Sequence, residues 1–179
     1  KRVYQCAGND IWEQDNNITK TCVLNIPEPA EDYLDRQLNY SDWVPLTGAH
    51  FDYRPGLINF SILGRNATVE QRKMYCNYDK QVGERYRIAQ GFNERFPQYQ
   101  ASVAGEIGID ITVKGCNKSQ ILKDFDAAGL YFENITFFGD KCEYDGNDYE
   151  ISRAVAFGGG TIYQVKDWKE TWAQLKSIV

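Results

Sequence analysis

The stretch Ile135-Thr-Phe-Phe-Gly-Asp-Lys-Cys-Glu-Tyr-Asp-Gly-Asn-Asp148 decides the fold. Its first residues, Ile135 to Phe138, form a short apolar run of β-formers that stops at Gly139-Asp140. A polar loop follows and closes on Gly146-Asn147-Asp148. This predicts a buried parallel strand whose carboxyl end presents acids to a crevice. Acids placed there suit a hard cation such as Mg²⁺, which takes oxygen ligands. The plainer reading is a loop that is merely acidic and solvated. The order strand, Gly-Asp, Gly-Asn-Asp favours the site.

Downstream of this stretch, Tyr163 and Val165 predict a short strand, and Asp167-Trp-Lys-Glu170 has the form of a capping box. The helix it opens is expected to bury Trp168, Trp172, Leu175 and Val179. Upstream, Gly115-Cys-Asn-Lys118 leads into a helix carrying Ile121, Leu122 and Phe125, with Gly129 placed to end it. From Lys118 onward the elements alternate as in a doubly wound α/β fold.

The middle of the chain reads differently. Ile107, Ile109, Ile111 and Val113 fall on one face of a strand, with Glu106, Gly108, Asp110 and Thr112 on the other. Phe51 to Tyr53 and Leu57 to Leu63 are two more strands, around Arg54-Pro55-Gly56. Thr68-Val-Glu-Gln71 is a capping box for a helix running to about Asp79, and a second helix covers Val82 to Phe96 before Pro97. Nearer the start, Val3 to Ala7 reads as a short buried strand. Ile11 to Leu24 reads as a hairpin turning at Asp15-Asn16-Asn17, and Glu31 to Leu38 as a short helix. The pattern predicts two modules: an α/β core from residues 1–13 and 114–179, and an inserted α+β cap, residues 14–113.

Composition narrows the function. The 179 residues are 42% hydrophobic and 14% aromatic, which supports a packed core. A net charge of −5 argues against general nucleic-acid binding. No apolar run reaches the length of a membrane span. The five cysteines form no C-x-x-C and are odd in number, which points away from a disulfide framework and towards a reducing cytoplasm. His50 is the one histidine, so catalysis by a histidine pair is excluded.

Charged groups supply the candidate chemistry. Arg54, Arg65 and Arg72 follow in close order, the last in a helix's first turn; guanidinium forks match phosphate bidentately. Asp110 sits on the polar face of its strand. Lys118 precedes a core helix. Taken singly, each of these is more often an ordinary surface charge.

Together they resemble the eukaryotic-type phosphomannomutase family of haloacid dehalogenase-like (HAD) phosphotransferases. The family's metal loop has the form F-F-G-D-K followed by G-G-N-D; here Asp145 stands for the first glycine. Its I-E-F-R-N-G-M-L-N-V-S-P-I-G-R segment is matched by Phe51-Asp-Tyr-Arg-Pro-Gly-Leu-Ile-Asn-Phe-Ser-Ile-Leu-Gly-Arg65, and its E-E-R by Glu70-Gln-Arg72. Its G-G-Q-I-S-F-D corresponds to Ala104-Gly-Glu-Ile-Gly-Ile-Asp110, with Gly108 for the serine.

The resemblance implies a HAD-like core with an inserted α+β cap, and Mg²⁺-dependent transfer of phosphate between the 6- and 1-positions of a hexose. Arg54, Arg65 and Arg72 would bind the phosphate that is not reacting, and Gly108 and Asp110 would meet the sugar. Lys118 would neutralise the transferring group. Asp140 would hold the cation, with Asn147 and Asp148 in or behind its coordination shell. Ala154 stands where the family places an aspartate, so no second cation site is implied. The implied partners are a mannose or glucose phosphate and a second copy of the chain through the cap.

Enzymes of this class carry a nucleophilic D-x-D at the end of their first strand. That segment belongs upstream of Val3, so the core is expected to lack its N-terminal strand, and the chain as it stands to be inactive. Asp124-Phe-Asp126 lies in a helical pattern and is not that motif. Two other readings follow: a sugar-phosphate phosphatase on the same core, and a non-catalytic sugar-phosphate-binding or interaction protein.

Overall fold

A computed structural model describes residues 2–13, 18–144 and 146–178. It divides into two compact units, Lys1–Cys116 and Asn117–Val179.

The first unit begins with β1 (Arg2–Gln5), β2 (Asp10–Glu13) and β3 (Ile18–Thr21), an antiparallel sheet in that order. The expected hairpin is therefore present as β2 and β3, and its Asp15-Asn16-Asn17 turn lies outside the described residues. The strand expected to be buried at Val3 is instead largely exposed, with Val3 itself 54% open. It pairs antiparallel with β2 and not into the α/β sheet. Residues 1–13 consequently fall with the first unit, and the boundary lies at 116/117. Backbone bonds continue this sheet into the unit: Cys22 N–H donates to Asn9 O at 3.0 Å, and Gly56 N–H to Cys22 O at 2.8 Å.

Four further strands, β4 (Phe51–Arg54), β5 (Leu57–Phe60), β6 (Tyr99–Ala104) and β7 (Gly108–Val113), form an antiparallel sheet in the order β4-β5-β7-β6. Strand β6 has no clean sequence signal; its polar Gln100 and Ser102 interrupt the apolar run. Alternation gives the sheet two unlike faces. Ile58, Phe60, Ala101, Ile109 and Ile111 face a core shared with three helices. These are α1 (Glu28–Tyr40), α2 (Val69–Val82) and α3 (Glu84–Arg95). They contribute Ala30 and Leu34, Tyr75, and Ile88, Ala89 and Phe92. Proline shapes the start of α1: Pro27 is its N-cap and Pro29 lies in its first turn, where no backbone donor is missed.

Two buried carboxylates in this core are paired, while the buried indole N–H of Trp43, packed against it, has no hydrogen-bond partner among the described residues. Glu84 accepts from Ser41 Oγ at 2.6 Å and from Tyr75 OH at 2.9 Å. Burial first, then the Glu84 carboxylate, push the Tyr75 phenol well above its usual pKa, so it stays a donor. Arg85 pairs with Asp79 at 2.8 Å, and its Nη1 donates to the carbonyls of Ala104, Gly105 and Gly108. This fastens the α2–α3 junction to the β6–β7 turn.

The second unit contains α4 (Ile121–Ala127), β8 (Thr136–Gly139), α5 (Tyr149–Phe157), β9 (Thr161–Gln164) and α6 (Trp168–Ile178). Strands β8 and β9 are parallel, joined through α5, which is the βαβ unit expected from the sequence. Leu122, Ile151 and Val155 form its buried core, with Phe137 and Ile162 packed against them. Asp124 and Asp126 both lie on α4, so this D-x-D is a helical pair.

One expectation about α6 fails. Asp167 Oδ1 accepts from the N–H groups of Lys169 and Glu170, and Glu170 reaches back to Lys166 N–H rather than to Asp167. The helix starts as expected, but Trp168 is 73% and Trp172 56% exposed, and no described residue of α6 is buried. The apolar stripe signals amphipathicity; it does not say what covers it. Among the described residues no helix is long and apolar enough to cross a membrane.

Candidate active site

The polar face of the four-stranded sheet carries the first cluster. Asp52 is paired across the sheet with Asn59, Asn59 with Asp110, and Asp110 with Ser102. Polar side chains at alternate positions thus form one row, while their neighbours fill the core. Arg54 donates to Asp52 Oδ2 from Nε at 3.0 Å and from Nη2 at 2.6 Å. Arg65 Nη2 lies 3.2 Å from the same oxygen. Arg65 Nη1 donates to Asn59 Oδ1 at 3.2 Å, and Asn59 Nδ2 donates to Asp110 Oδ1 at 2.6 Å. One continuous chain therefore links Arg54, Asp52, Arg65, Asn59 and Asp110.

Arg72 joins it through the backbone. Its Nη2 donates to Arg65 O at 3.1 Å and its Nε to Ala67 O at 3.3 Å. The capping box predicted from Thr68 and Gln71 is present in both directions, and it fixes the helical turn that carries Arg72. The three arginines and Asp110 are thus brought together. Gly108 belongs to the same cluster by space. A Cβ there would meet Asn59 Nδ2 at 2.4 Å, so a side chain at 108 would push the Asn59 amide from its place. Asp52 and Asn59 were not singled out from the sequence, although both stand at alternating polar positions of predicted strands.

The second cluster lies at the carboxyl end of β8. Asp148 is 3% exposed. Its Oδ2 accepts from the backbone N–H of Asp140 at 3.2 Å and of Lys141 at 3.3 Å, and its Oδ1 accepts from Lys118 Nζ at 2.5 Å. Gly139 makes room for this approach, since a Cβ there would meet Asp148 Oδ2 at 2.9 Å. Asp148 is therefore the hub that ties Lys118 to the end of the strand. Asp140 and Asn147 are exposed. Burial pushes the nearby Cys142 thiol up, against a hydrogen bond from Ser152, and keeps it protonated at neutral pH.

Three donors already fill most of the lone pairs of Asp148. Among the described residues no three His, Cys, Asp or Glu side chains converge as an all-protein cation cage would need. Mg²⁺ does not require such a cage. It is commonly held by one or two carboxylates, with waters and phosphate oxygens completing an octahedron. An exposed Asp140 directly after a buried strand end fits that donor set.

The family model of eukaryotic phosphomannomutase matches residues 31–179. The chain belongs to the eukaryotic phosphomannomutase family. Among the family's curated members, a phosphomannomutase of Saccharomyces cerevisiae is 36% identical over 121 residues, 66% of this chain and 47% of the relative. One of Schizosaccharomyces pombe is 37% identical over 133 residues, 73% of this chain and 50% of the relative. The chain thus spans about half the length of these phosphomannomutases. A crystal structure of a haloacid dehalogenase-like hydrolase from Bacteroides thetaiotaomicron superposes over 97% of this chain and 74% of its own. The TM-score is 0.57 and the identity 10%. That likeness shows a HAD-like α/β fold for this phosphomannomutase-family chain.

Proposed function

We propose that this chain supplies the substrate-binding and charge-neutralising parts of a phosphohexose mutase. In this reading, phosphate moves between the 6- and 1-positions of a mannose or glucose phosphate. The observation that carries it is the hub at Asp148, which ties Lys118 to the strand end presenting Asp140. A lysine held there by a buried carboxylate is a fixed cation, which lowers the cost of charge developing on a transferring phosphoryl group. Arg54, Arg65 and Arg72 would hold the second phosphate, and Asp110 would accept from sugar hydroxyls. Gly108 would leave only backbone groups towards the sugar.

Mg²⁺ would be held by Asp140, with Asn147 and Asp148 of the same loop bracing it. Bound there, it would draw negative charge from the phosphoryl oxygens. No residue of this chain is assigned as the nucleophile; the family's D-x-D aspartate would take that role. A reducing, cytoplasmic setting and pairing of two copies through the first unit belong to the same reading. All five cysteines are free, and Val69, Met74 and Tyr86 on α2 and α3 are exposed.

The test is phosphorus NMR of mannose 6-phosphate incubated with the intact protein and Mg²⁺. The expected result is conversion to the 1-phosphate without inorganic phosphate, stopped by a chelator. Release of inorganic phosphate would move the assignment to a phosphatase. Binding of the sugar phosphate with no turnover would move it to a binding module.

A further inference from the structure

Asp52 stands where a phosphate ligand of the arginine cluster would have to act. A single oxygen of Asp52 takes two hydrogen bonds from Arg54 and an ion pair from Arg65. Those are fork-shaped donors of the kind that match a phosphate bidentately. The side chains of Arg54, Arg65 and Asp52 are 41%, 33% and 32% exposed. The carboxylate is therefore neither sealed into the core nor committed to a buried pair.

Asp110 adds a second acid to the same row, reached from Arg65 through Asn59. Three guanidinium charges are thus offset by two carboxylates. The arrangement draws in an anion while limiting how tightly it holds one.

We propose that Asp52 is an internal counter-ion that competes with phosphate for Arg54 and Arg65 and so sets the affinity of this site. This rests on the reading that the arginines bind a substrate phosphate. Its use is release. A ligand with a phosphate at either end must present each in turn to the transfer site, so neither can be held too tightly by the arginines. The alternative role for Asp52 is to splint the two arginines in a binding-competent geometry. The two roles predict opposite signs when the charge is removed without loss of shape.

The experiment is calorimetric titration of the full chain with inorganic phosphate. Asp52→Asn is expected to bind phosphate about fivefold more tightly, the size of one unit charge removed at contact distance in a solvent-rich site. The gain should disappear when Arg54→Ala and Arg65→Ala are both added, because there is then no shared guanidinium to release. Should Asp52→Asn fail to fold, as judged by circular dichroism, Asp52→Ser is titrated in its place with the same expectation. Unchanged or weaker binding in the folded charge-removing variant, with Arg65→Ala also weaker, would overturn the counter-ion role and leave the arginine site standing. Phosphate affinity indifferent to Arg54→Ala, Arg65→Ala and Arg72→Ala would overturn both.

Discussion

Asp148 is the residue on which the second cluster turns. Its carboxylate is almost closed to solvent and takes three donors, of which only Lys118 carries a charge. Removing one partner of a buried ion costs more than the pair itself is worth, because the remaining charge is stranded. Lys118 is about one-third exposed, so water can partly replace it and the cost is reduced. Lys118→Met is expected to destabilise the second unit by about 1–2 kcal/mol in urea unfolding. It should also lower the maximal turnover of the intact protein far more than it raises KM, since the lysine answers charge that develops during transfer. Turnover unchanged by this variant would remove Lys118 from the mechanism. At this scale the sequence was informative about identity and silent about partners. Lys118 and Asp148 stand thirty residues apart, and no spacing rule joins them.

At the scale of the element, α2 couples a local motif to a functional position. Thr68 and Gln71 satisfy each other's backbone donors, and the turn they close carries Arg72. Thr68→Ala is expected to cost the first unit about 1 kcal/mol, the usual value of an N-cap. It should also raise the KM for a sugar phosphate, because the fraying turn carries Arg72. A melt and a KM measured on the same variant check both; stability lost with KM unchanged would separate the helix end from the site. This motif was legible because a capping box is purely local. The same holds for β7 and β8, whose apolar patterns put Ile109, Ile111 and Phe137 where the cores form. The burial of α6 was not legible. Trp168 and Trp172 define an apolar stripe, and a stripe gives a direction but no neighbour. Strand β1 failed for a related reason: its few apolar residues fit an exposed antiparallel edge as well as a buried parallel strand.

Across the whole molecule, the two units differ in how much core they own. The first packs three helices on one face of a four-stranded sheet around Tyr75, Phe60 and Phe92, all fully buried. The second buries Leu122, Ile151 and Val155 beneath a two-stranded parallel sheet. Small cores yield little net stability, and two strands are few for a sheet. Urea unfolding is therefore expected in two steps, with the second unit opening first. Fluorescence of a variant that keeps Trp168 and Trp172 should change before that of one keeping Trp43; coincident transitions would show a single cooperative body. The sequence by itself determined the family and the α/β fold class, with strands at β7 and β8. Those properties follow from local pattern and motif. Tertiary structure alone decided that Asp52 and Asn59 stand between the arginines and Asp110, that residues 1–13 join the first unit, and that α6 leaves its tryptophans open. Each of these depends on which distant strand supplies a hydrogen-bond partner, and pairing between strands is not encoded in the periodicity of either one.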